Sequence, residues 1–141
     1  MYKIGYTTGV FDMFHIGHLN HLKLARENCT YLIAGVSTDE LVLSYKHRRP
    51  VIPFHERIEI VRAIRYVDLV IPQVTLDKRD AWQQYHFDVL FHGDDWKGTP
   101  LYNDIERQLK ALGCEVVYLP HTEGISSTLL AGRVRPFLTS N

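Results

Sequence analysis

Two histidines follow the first strand-like segment of the chain, in the run Thr7–His18. The run reads TTGVFDMFHIGH, so a strand leads through a glycine turn to the start of a helix, where His15 and His18 would share a face. Ligands of open α/β sheets bind at the carboxyl ends of strands, and a helix N-terminus there offers N–H groups to phosphate. Gly9 and Gly17 let the backbone approach a ligand closely. The segment predicts a phosphate site in which two imidazoles donate hydrogen bonds to developing negative charge.

Other chemistry for the two histidines is disfavoured by the sequence. A zinc site needs three or four ligands, and the chain has neither an HExxH nor a CxxC motif, so we expect no metal held directly by side chains. Gly9 and Gly17 do not fit the dinucleotide fingerprint GxGxxG. A pair of ordinary surface or core histidines remains open at this point.

Three further segments combine loop character with dense polar groups. The basic loop Ser44–Pro53 carries Lys46, the segment Asp94–Pro100 reads DDWKGTP, and the run Thr122–Thr128 reads TEGISST. The hydroxyls and N–H groups of the last run suit triphosphate oxygens at a helix N-terminus. Taken alone, each segment also fits an ordinary explanation: a solvated basic run, an Asp-rich turn and a Ser/Thr helix cap.

The elements that must position these segments alternate between apolar strand-like runs and helical patterns. This order predicts an α/β fold: a single Rossmann-like domain over 1–141 with a parallel sheet of about five strands and helices on both faces. The expected strands are Lys3–Thr8, Tyr31–Val36, Leu69–Ile71, Val89–His92 and Glu115–Leu119. The expected helices are His18–Asn28, one opened by a capping box at Ser37–Glu40, one from near Pro53 with an apolar stripe to Ile64, Asp77–Tyr85, Leu101–Leu112 and one from about Ser126.

Composition excludes several function classes. The 141 residues are 45% hydrophobic and 23% charged, as in an ordinary globular domain. Sixteen basic residues balance sixteen acidic ones, so we expect no nucleic-acid or membrane partner. Cys29 and Cys114 cannot form a disulfide framework. A strand pattern by Lys3 and the lack of an apolar run of 18 residues predict no signal peptide or membrane span, and hence a cytoplasmic location.

Two motifs resemble the signatures of a known family. Gly9–Asp12 together with His15–His18 resembles the H-x-G-H nucleotide-binding signature of the nucleotidyltransferase superfamily. Thr122–Thr128 resembles the R-T-E-G-I-S-T-T signature of its cytidylyltransferase branch, with His121 in place of the arginine. The similarity extends over the whole chain, with the greatest likeness to members that use glycerol 3-phosphate, and includes Ser37–Glu40, Ile64–Asp68 and Gly93–Trp96.

The resemblance implies a set of site residues. The implied catalytic side chains are His15, His18, Lys46, Arg57 and Arg65. The implied nucleotide-binding residues are Thr8, Gly9, Val10, Phe11, Asp12, His15, Gly17, His18, Asp94, Asp95, Trp96, His121, Thr122, Glu123, Gly124, Ile125, Ser126, Ser127 and Thr128. The acceptor's phosphate is expected against Lys46, Lys78 and Arg79, while Arg48 or Arg49 could share the part of Lys46. Asp68 is expected to orient an arginine.

The resemblance also implies a reaction. A cytidylyl group would pass from CTP to a small phosphorylated alcohol, glycerol 3-phosphate first, giving a CDP-alcohol such as CDP-glycerol and pyrophosphate. Mg²⁺ bound mainly through the CTP phosphates, a homodimer and a place in cell-wall or teichoic acid biosynthesis are implied as well. Adenylyl transfer from ATP, a nucleotide-binding regulatory module and a redox domain are the alternatives. Phosphoethanolamine and phosphocholine stay open as acceptors, and choline would need an aromatic cage, for which the candidates are Tyr45, Tyr66, Trp82 and Tyr85.

Overall fold

Five parallel strands in the order β3-β2-β1-β4-β5 form one sheet, which confirms the predicted architecture. The structure is a computed structural model and describes residues 1–122. The strands are β1 Tyr2–Gly9, β2 Cys29–Ser37, β3 Leu69–Gln73, β4 Val89–Gly93 and β5 Glu115–Leu119. The helices are α1 Ile16–Glu27, α2 Asp39–Lys46, α3 Phe54–Arg62, α4 Arg79–Tyr85 and α5 Pro100–Ala111, with a short 3₁₀ turn at Asp94–Trp96. The helix expected from Ser126 lies outside the described residues.

Each face of the sheet packs against helices, as a parallel sheet requires. On one face, Leu22 of α1 and Val61 of α3 join a core that includes Leu32 of β2. On the other face, Leu109 of α5 packs with Ile33, the next residue of β2, whose side chain points the opposite way. No helix within residues 1–122 is long and apolar enough to cross a membrane.

Several helix ends differ from the sequence prediction for local reasons. α1 begins at Ile16 because His15 caps it. α2 is capped by Thr38, whose Oγ1 accepts from Leu41 N at 3.1 Å, so the capping box predicted at Ser37 is wrong by one position. Ser37 instead ends β2. Ser37 is therefore the last residue of the strand, and Thr38 is the cap of the helix that follows.

The strand order reverses at β1, and this reversal creates the site. β1 pairs with β2 on one side and with β4 on the other, in the registers Thr8↔Gly35 and Thr7↔Phe91. The chain leaves β1 toward α1 on one face and leaves β4 toward α5 on the other face. A crevice therefore opens beyond the carboxyl ends of β1 and β4, where doubly wound sheets bind their ligands.

Candidate active site

A cavity of about 340 Å³ occupies this crevice. The loop after β1, the end of α2 with the basic loop, the start of α4 and the segment after β4 all contribute to its wall. The predicted site residues that line it are Thr8, Gly9, Val10, Phe11, Asp12, His18, Lys46, Arg48, Arg49, Lys78, Asp95 and Trp96. The structure thus brings together residues from four separate parts of the sequence.

The two histidines of the first motif cap α1 reciprocally. His15 Nδ1 accepts from Gly17 N at 3.0 Å, and His18 Nδ1 accepts from His15 N at 3.2 Å. Their rings stack with centroids 3.8 Å apart and an interplanar angle of 22°. Because each Nδ1 accepts a backbone N–H, the proton of a neutral ring lies on Nε2. Both imidazoles are therefore set as Nε2–H donors.

Burial keeps these donors neutral. Burial, followed by the neighbouring His15 and His21, lowers the pKa of His18 to about 3. Burial also lowers the pKa of His15, whose Nε2 is buried and has no hydrogen-bond partner within residues 1–122. His18 lines the cavity and His15 stacks on it. A phosphate oxygen at this place would accept hydrogen bonds from neutral imidazoles.

The loop between β1 and α1 is shaped by backbone geometry that side chains rarely adopt. Phe11 and Met13 have φ angles of 54° and 48°. Gly9 makes room for this turn, since a Cβ there would lie 3.1 Å from the Phe11 ring. Strained backbone of this kind concentrates at functional sites. Phe11 and Met13 both line the cavity.

Asp12 fastens the basic loop to this turn. Its carboxylate accepts from Val51 N at 2.8 Å and from Ile52 N at 2.9 Å. The loop is thereby held against the cavity, with Lys46 and Arg48 in the wall. Burial, followed by the charge of Arg48, lowers the pKa of Lys46, and the charge of Asp12 partly offsets this effect.

Arg57, expected as a catalytic side chain, is a structural residue that does not line the cavity. Its guanidinium is fully buried and donates to the carbonyls of Ile52 at 2.8 Å, Val10 at 2.6 Å and Ser37 at 2.8 Å. It also forms a 2.7 Å ion pair with Asp39. Four of its five N–H donors are engaged with protein. Arg57 holds together the segments that carry the site.

Arg65, the other arginine that the resemblance implies as catalytic, lies outside the cavity wall. α3 ends at Arg62, and Arg65 lies in the turn before β3, at the end of the sheet opposite the cavity. Its exposed guanidinium donates to Tyr66 Oη at 3.0 Å. Because Arg65 does not line the cavity of its own chain, the structure gives no support to a catalytic role for it. Asp68 does pair with an arginine, as predicted, but the partner is Arg26 at 3.1 Å.

The two basic residues predicted for the acceptor's phosphate separate in the structure. Lys78 lines the cavity, is only 2% exposed, and has its pKa lowered to about 8 by burial. Arg79 points away, is exposed, and pairs with Asp77 at 2.6 Å. Lys78 therefore fits the prediction, whereas Arg79 does not reach the cavity.

The segment after β4 places Asp95 and Trp96 in the wall, with Asp94 outside it. Asp94 Oδ1 lies 3.0 Å from His121 Nδ1, and Asp95 Oδ1 lies 3.5 Å from the same atom. These three exposed side chains form a cluster of potential metal ligands, of a kind common on protein surfaces. Thr122 accepts a hydrogen bond from Asn20 of α1 at 2.9 Å. His121, Thr122 and Gly17 lie outside the cavity wall, and Glu123, Gly124, Ile125, Ser126, Ser127 and Thr128 lie outside the described residues.

Sequence reasoning missed several polar groups of the wall, namely His21, Gln73, His92 and Tyr102. His21 lies one turn beyond His18, a spacing that could have revealed it. Thr7 Oγ1 donates to Phe91 O at 2.9 Å and lies 2.7 Å from His21 Nε2, so the imidazole donates to the threonine. Gln73 and His92 sit near the ends of β3 and β4, where sequence shows the edge of the sheet but not the direction of a side chain.

The strand order, the crevice and the paired imidazoles define a nucleotidyltransferase-type α/β protein. The chain belongs to the cytidylyltransferase-like family, whose sequence profile matches residues 6–133. It is 40% identical over 123 residues to glycerol-3-phosphate cytidylyltransferase of Staphylococcus aureus, covering 86% of this chain and 87% of the relative.

The chain is also similar to enzymes named for other reactions and to a solved structure with the same fold. The chain is 37% identical over 134 residues to ethanolamine-phosphate cytidylyltransferase of Arabidopsis thaliana, covering 92% of this chain and 31% of that one. It is 39% identical over 116 residues to FAD synthase of Pyrococcus horikoshii, covering 80% and 77%. A lipopolysaccharide core biosynthesis protein of Thermoplasma volcanium has the same fold, with a TM-score of 0.71, 21% identity, and 86% and 98% of the two chains covered.

Proposed function

We propose that this protein transfers a cytidylyl group from CTP to glycerol 3-phosphate, giving CDP-glycerol and pyrophosphate. The observation that carries the proposal is a single cavity lined by His18 and by cations from two different elements: Lys46 from α2 and Lys78 at the start of α4. Two groups of cations suit two phosphorylated substrates. The 40% identity to a glycerol-3-phosphate cytidylyltransferase over most of both chains supports the choice of substrates.

The chemistry is an in-line displacement. A phosphate oxygen of the acceptor attacks the α-phosphorus of CTP, the new P–O bond forms, and the bond from that phosphorus to the β-phosphate oxygen breaks. Pyrophosphate leaves with the electron pair of the broken bond. The attacking phosphate is already ionised, so no side chain has to remove a proton. Catalysis then consists of positioning and charge stabilisation.

Each part of the wall has a place in this reaction. His15 and His18 donate from Nε2 to the α-phosphoryl oxygens, where charge develops. Lys46, Arg48 and Arg49 neutralise the triphosphate, and Lys78 binds the acceptor's phosphate. Arg57 is a positioning residue that acts through the segments it holds. The part of Glu123–Thr128 in binding the nucleotide stays a prediction.

The fit of Mg²⁺ depends on the carboxylates of the wall. Asp12 is committed to Val51 N and Ile52 N, whereas Asp95 is exposed on the wall. This arrangement would suit a cation held mainly by CTP phosphates and water, with the Asp95 carboxylate able to help hold it. When bound, Mg²⁺ neutralises part of the triphosphate charge.

Pyrophosphate release tests the nucleotide and the acceptor together. The enzyme is incubated with CTP or ATP and with glycerol 3-phosphate or phosphoethanolamine. We expect turnover with CTP and glycerol 3-phosphate to exceed that with ATP by at least about 100-fold, the discrimination a polar base pocket supplies. The similarity to an FAD synthase favours adenylyl transfer as the second candidate, and a clear preference for ATP would establish it instead.

Three further proposals rest on the family resemblance. We infer a homodimer, a cytoplasmic location and a role in supplying CDP-glycerol for cell-wall polymers such as teichoic acid. Light scattering on the purified protein measures the oligomeric state directly. A mass of one chain, 16.4 kDa, would contradict the dimer.

A further inference from the structure

Three polar side chains of the cavity wall come from elements other than the one that carries the paired histidines. Gln73 ends β3, His92 belongs to β4, and Lys78 immediately precedes α4. We call Gln73, Lys78 and His92 the inner triad. All three line the cavity, and the exposed fractions of Gln73 and Lys78 are 6% and 2%. Only Lys78 has a role in the reaction described above.

Two members of the inner triad present polar atoms that lack partners. Gln73 Oε1 accepts from Ser37 Oγ at 2.9 Å, which directs the amide, but Gln73 Nε2 is buried with no hydrogen-bond partner within residues 1–122. His92 Nδ1 is likewise buried without a partner in that part of the chain. Burying such atoms is costly unless a ligand satisfies them. The inner triad is therefore a built polar site.

The inner triad carries one positive charge and no negative charge. The nearest acidic group to Lys78, Asp77, is engaged by Arg79, and Lys78 forms no ion pair or hydrogen bond within residues 1–122. His92 is neutral, because burial, together with Lys78, lowers its pKa to about 3. The ring of Tyr102 beside it is covered by His92, with centroids 4.5 Å apart.

The acidic residues of the wall do not offset this charge. Among the described residues that line the cavity, they are Asp12, which is held by two backbone N–H groups, and Asp95, which is exposed and lies beside His121. Of the four aromatic residues considered for a choline cage, only Tyr45 lines the cavity. At the inner triad, the ammonium group of an acceptor would meet the cation of Lys78 and no carboxylate.

We propose that the inner triad selects an uncharged polyol phosphate as acceptor and rejects ammonium-bearing alcohol phosphates. The inference rests on the proposed function and identifies Gln73 and His92 as specificity residues. Lys78 holds the acceptor's phosphate, Gln73 Nε2 donates to a hydroxyl oxygen, and His92 Nδ1 bonds a second hydroxyl. The amine of phosphoethanolamine lies two carbons from its phosphate, so it would be brought close to Lys78, and the inner triad offers no carboxylate to pair with it.

The test compares kcat/KM for glycerol 3-phosphate and phosphoethanolamine at saturating CTP. We expect the wild type to prefer glycerol 3-phosphate by about 100-fold or more. Gln73→Glu adds a carboxylate at nearly constant shape, and Lys78→Gln removes the cation. Each should lower this preference at least about tenfold. The dissociation constant of CTP should stay within about twofold, and Lys110→Gln on the exposed face of α5 serves as the control.

The outcomes separate the inference from the proposed function. If the wild type uses glycerol 3-phosphate with CTP but both variants keep its preference within twofold, the inner triad does not set specificity. Preference of the wild type for phosphoethanolamine would also overturn the inference while leaving cytidylyl transfer intact. Absence of turnover with either acceptor would remove the proposed function, and the inference with it.

Discussion

His15 and His18 each use Nδ1 to accept a backbone N–H of the helix that carries them, at 3.0 and 3.2 Å. The same bonds that begin α1 therefore fix the tautomer of both rings. Helix capping and catalysis are joined in one pair of side chains, and substitution can separate the two roles.

Asparagine in place of His15 should keep the cap and lose the donor. Asn is a favoured N-cap residue, so His15→Asn should retain most of the stability, while His15→Ala should lose about 1 kcal/mol. Both variants lack the Nε2–H, so kcat should fall on the order of 10²–10³-fold in each, with little change in CTP affinity. Urea unfolding and steady-state kinetics measure the two effects. Near-full turnover in His15→Asn would show that the imidazole does not act on the reaction.

Removal of the Arg57 guanidinium should cost stability first. Arg57→Met leaves three carbonyls and Asp39 without their buried donor, and breaking a buried ion pair typically costs about 3–5 kcal/mol. Arg62→Met on the same helix is the matched control, because Arg62 is exposed and, within residues 1–122, its ion-pair partner is Glu59 on the surface. We expect less than about 0.5 kcal/mol there. Equal unfolding midpoints for the two variants would contradict the structural role of Arg57.

Arg57 also shows why the sequence predicted the fold better than the site. The five strands are long apolar runs, and their positions agree with the prediction to within two residues. Arg57 is different, because the carbonyls that bind it belong to Val10 and Ser37, which are far away in sequence. The resemblance grouped it with Arg65, which lies at the other end of the sheet. Burial of a polar side chain depends on tertiary neighbours that no local pattern contains.

Acid should destabilise the protein through its buried histidines. Burial lowers the pKa of His18 and His92 to about 3 and that of His21 to about 4. The unfolded chain binds protons near pH 6.5 whereas the folded chain does not, so stability is lost as the pH falls below about 6.5. Between pH 7 and pH 5 each histidine should contribute a loss of about 2 kcal/mol.

Urea unfolding of single variants at the two pH values checks this. His21→Leu should reduce the acid-induced loss, since one buried histidine is removed. His55→Leu should leave it unchanged, because the side chain of His55 is 81% exposed. Identical pH dependence in wild type and His21→Leu would mean that His21 is protonated in the folded state.

Acceptor binding should weaken in base because of Lys78. Burial lowers the pKa of Lys78 to about 8, so the folded protein loses this charge above that pH while an ordinary lysine keeps it to about 10.4. The KM for glycerol 3-phosphate at saturating CTP should rise up to about tenfold per pH unit above pH 8. Lys78→Arg stays charged throughout this range and should show a flat profile. A rise of the same size in Lys78→Arg would assign the effect to another group.

The basic loop should respond to CTP in two parts with different exchange behaviour. Asp12 already holds the amides of Val51 and Ile52, at 2.8 and 2.9 Å, so these two should exchange slowly without ligand. His47 N already donates to Leu43 O at 3.1 Å, so its amide is protected in the free protein as well. The exposed residues Arg48 and Arg49 differ, because no backbone hydrogen bond within residues 1–122 holds their amides, and their side chains line the cavity beside Lys46. Their amides should become protected only when CTP neutralises the cations and draws the loop inward. Hydrogen exchange followed by mass spectrometry, with and without CTP, resolves the two segments.

Asp12→Asn should speed exchange at Val51 and Ile52 at least about tenfold, because a neutral amide is a weaker acceptor than a carboxylate. Equal protection of Arg48 and Arg49 in both states would show that the loop is already closed, and fast exchange at Val51 in the wild type would show that Asp12 does not hold it.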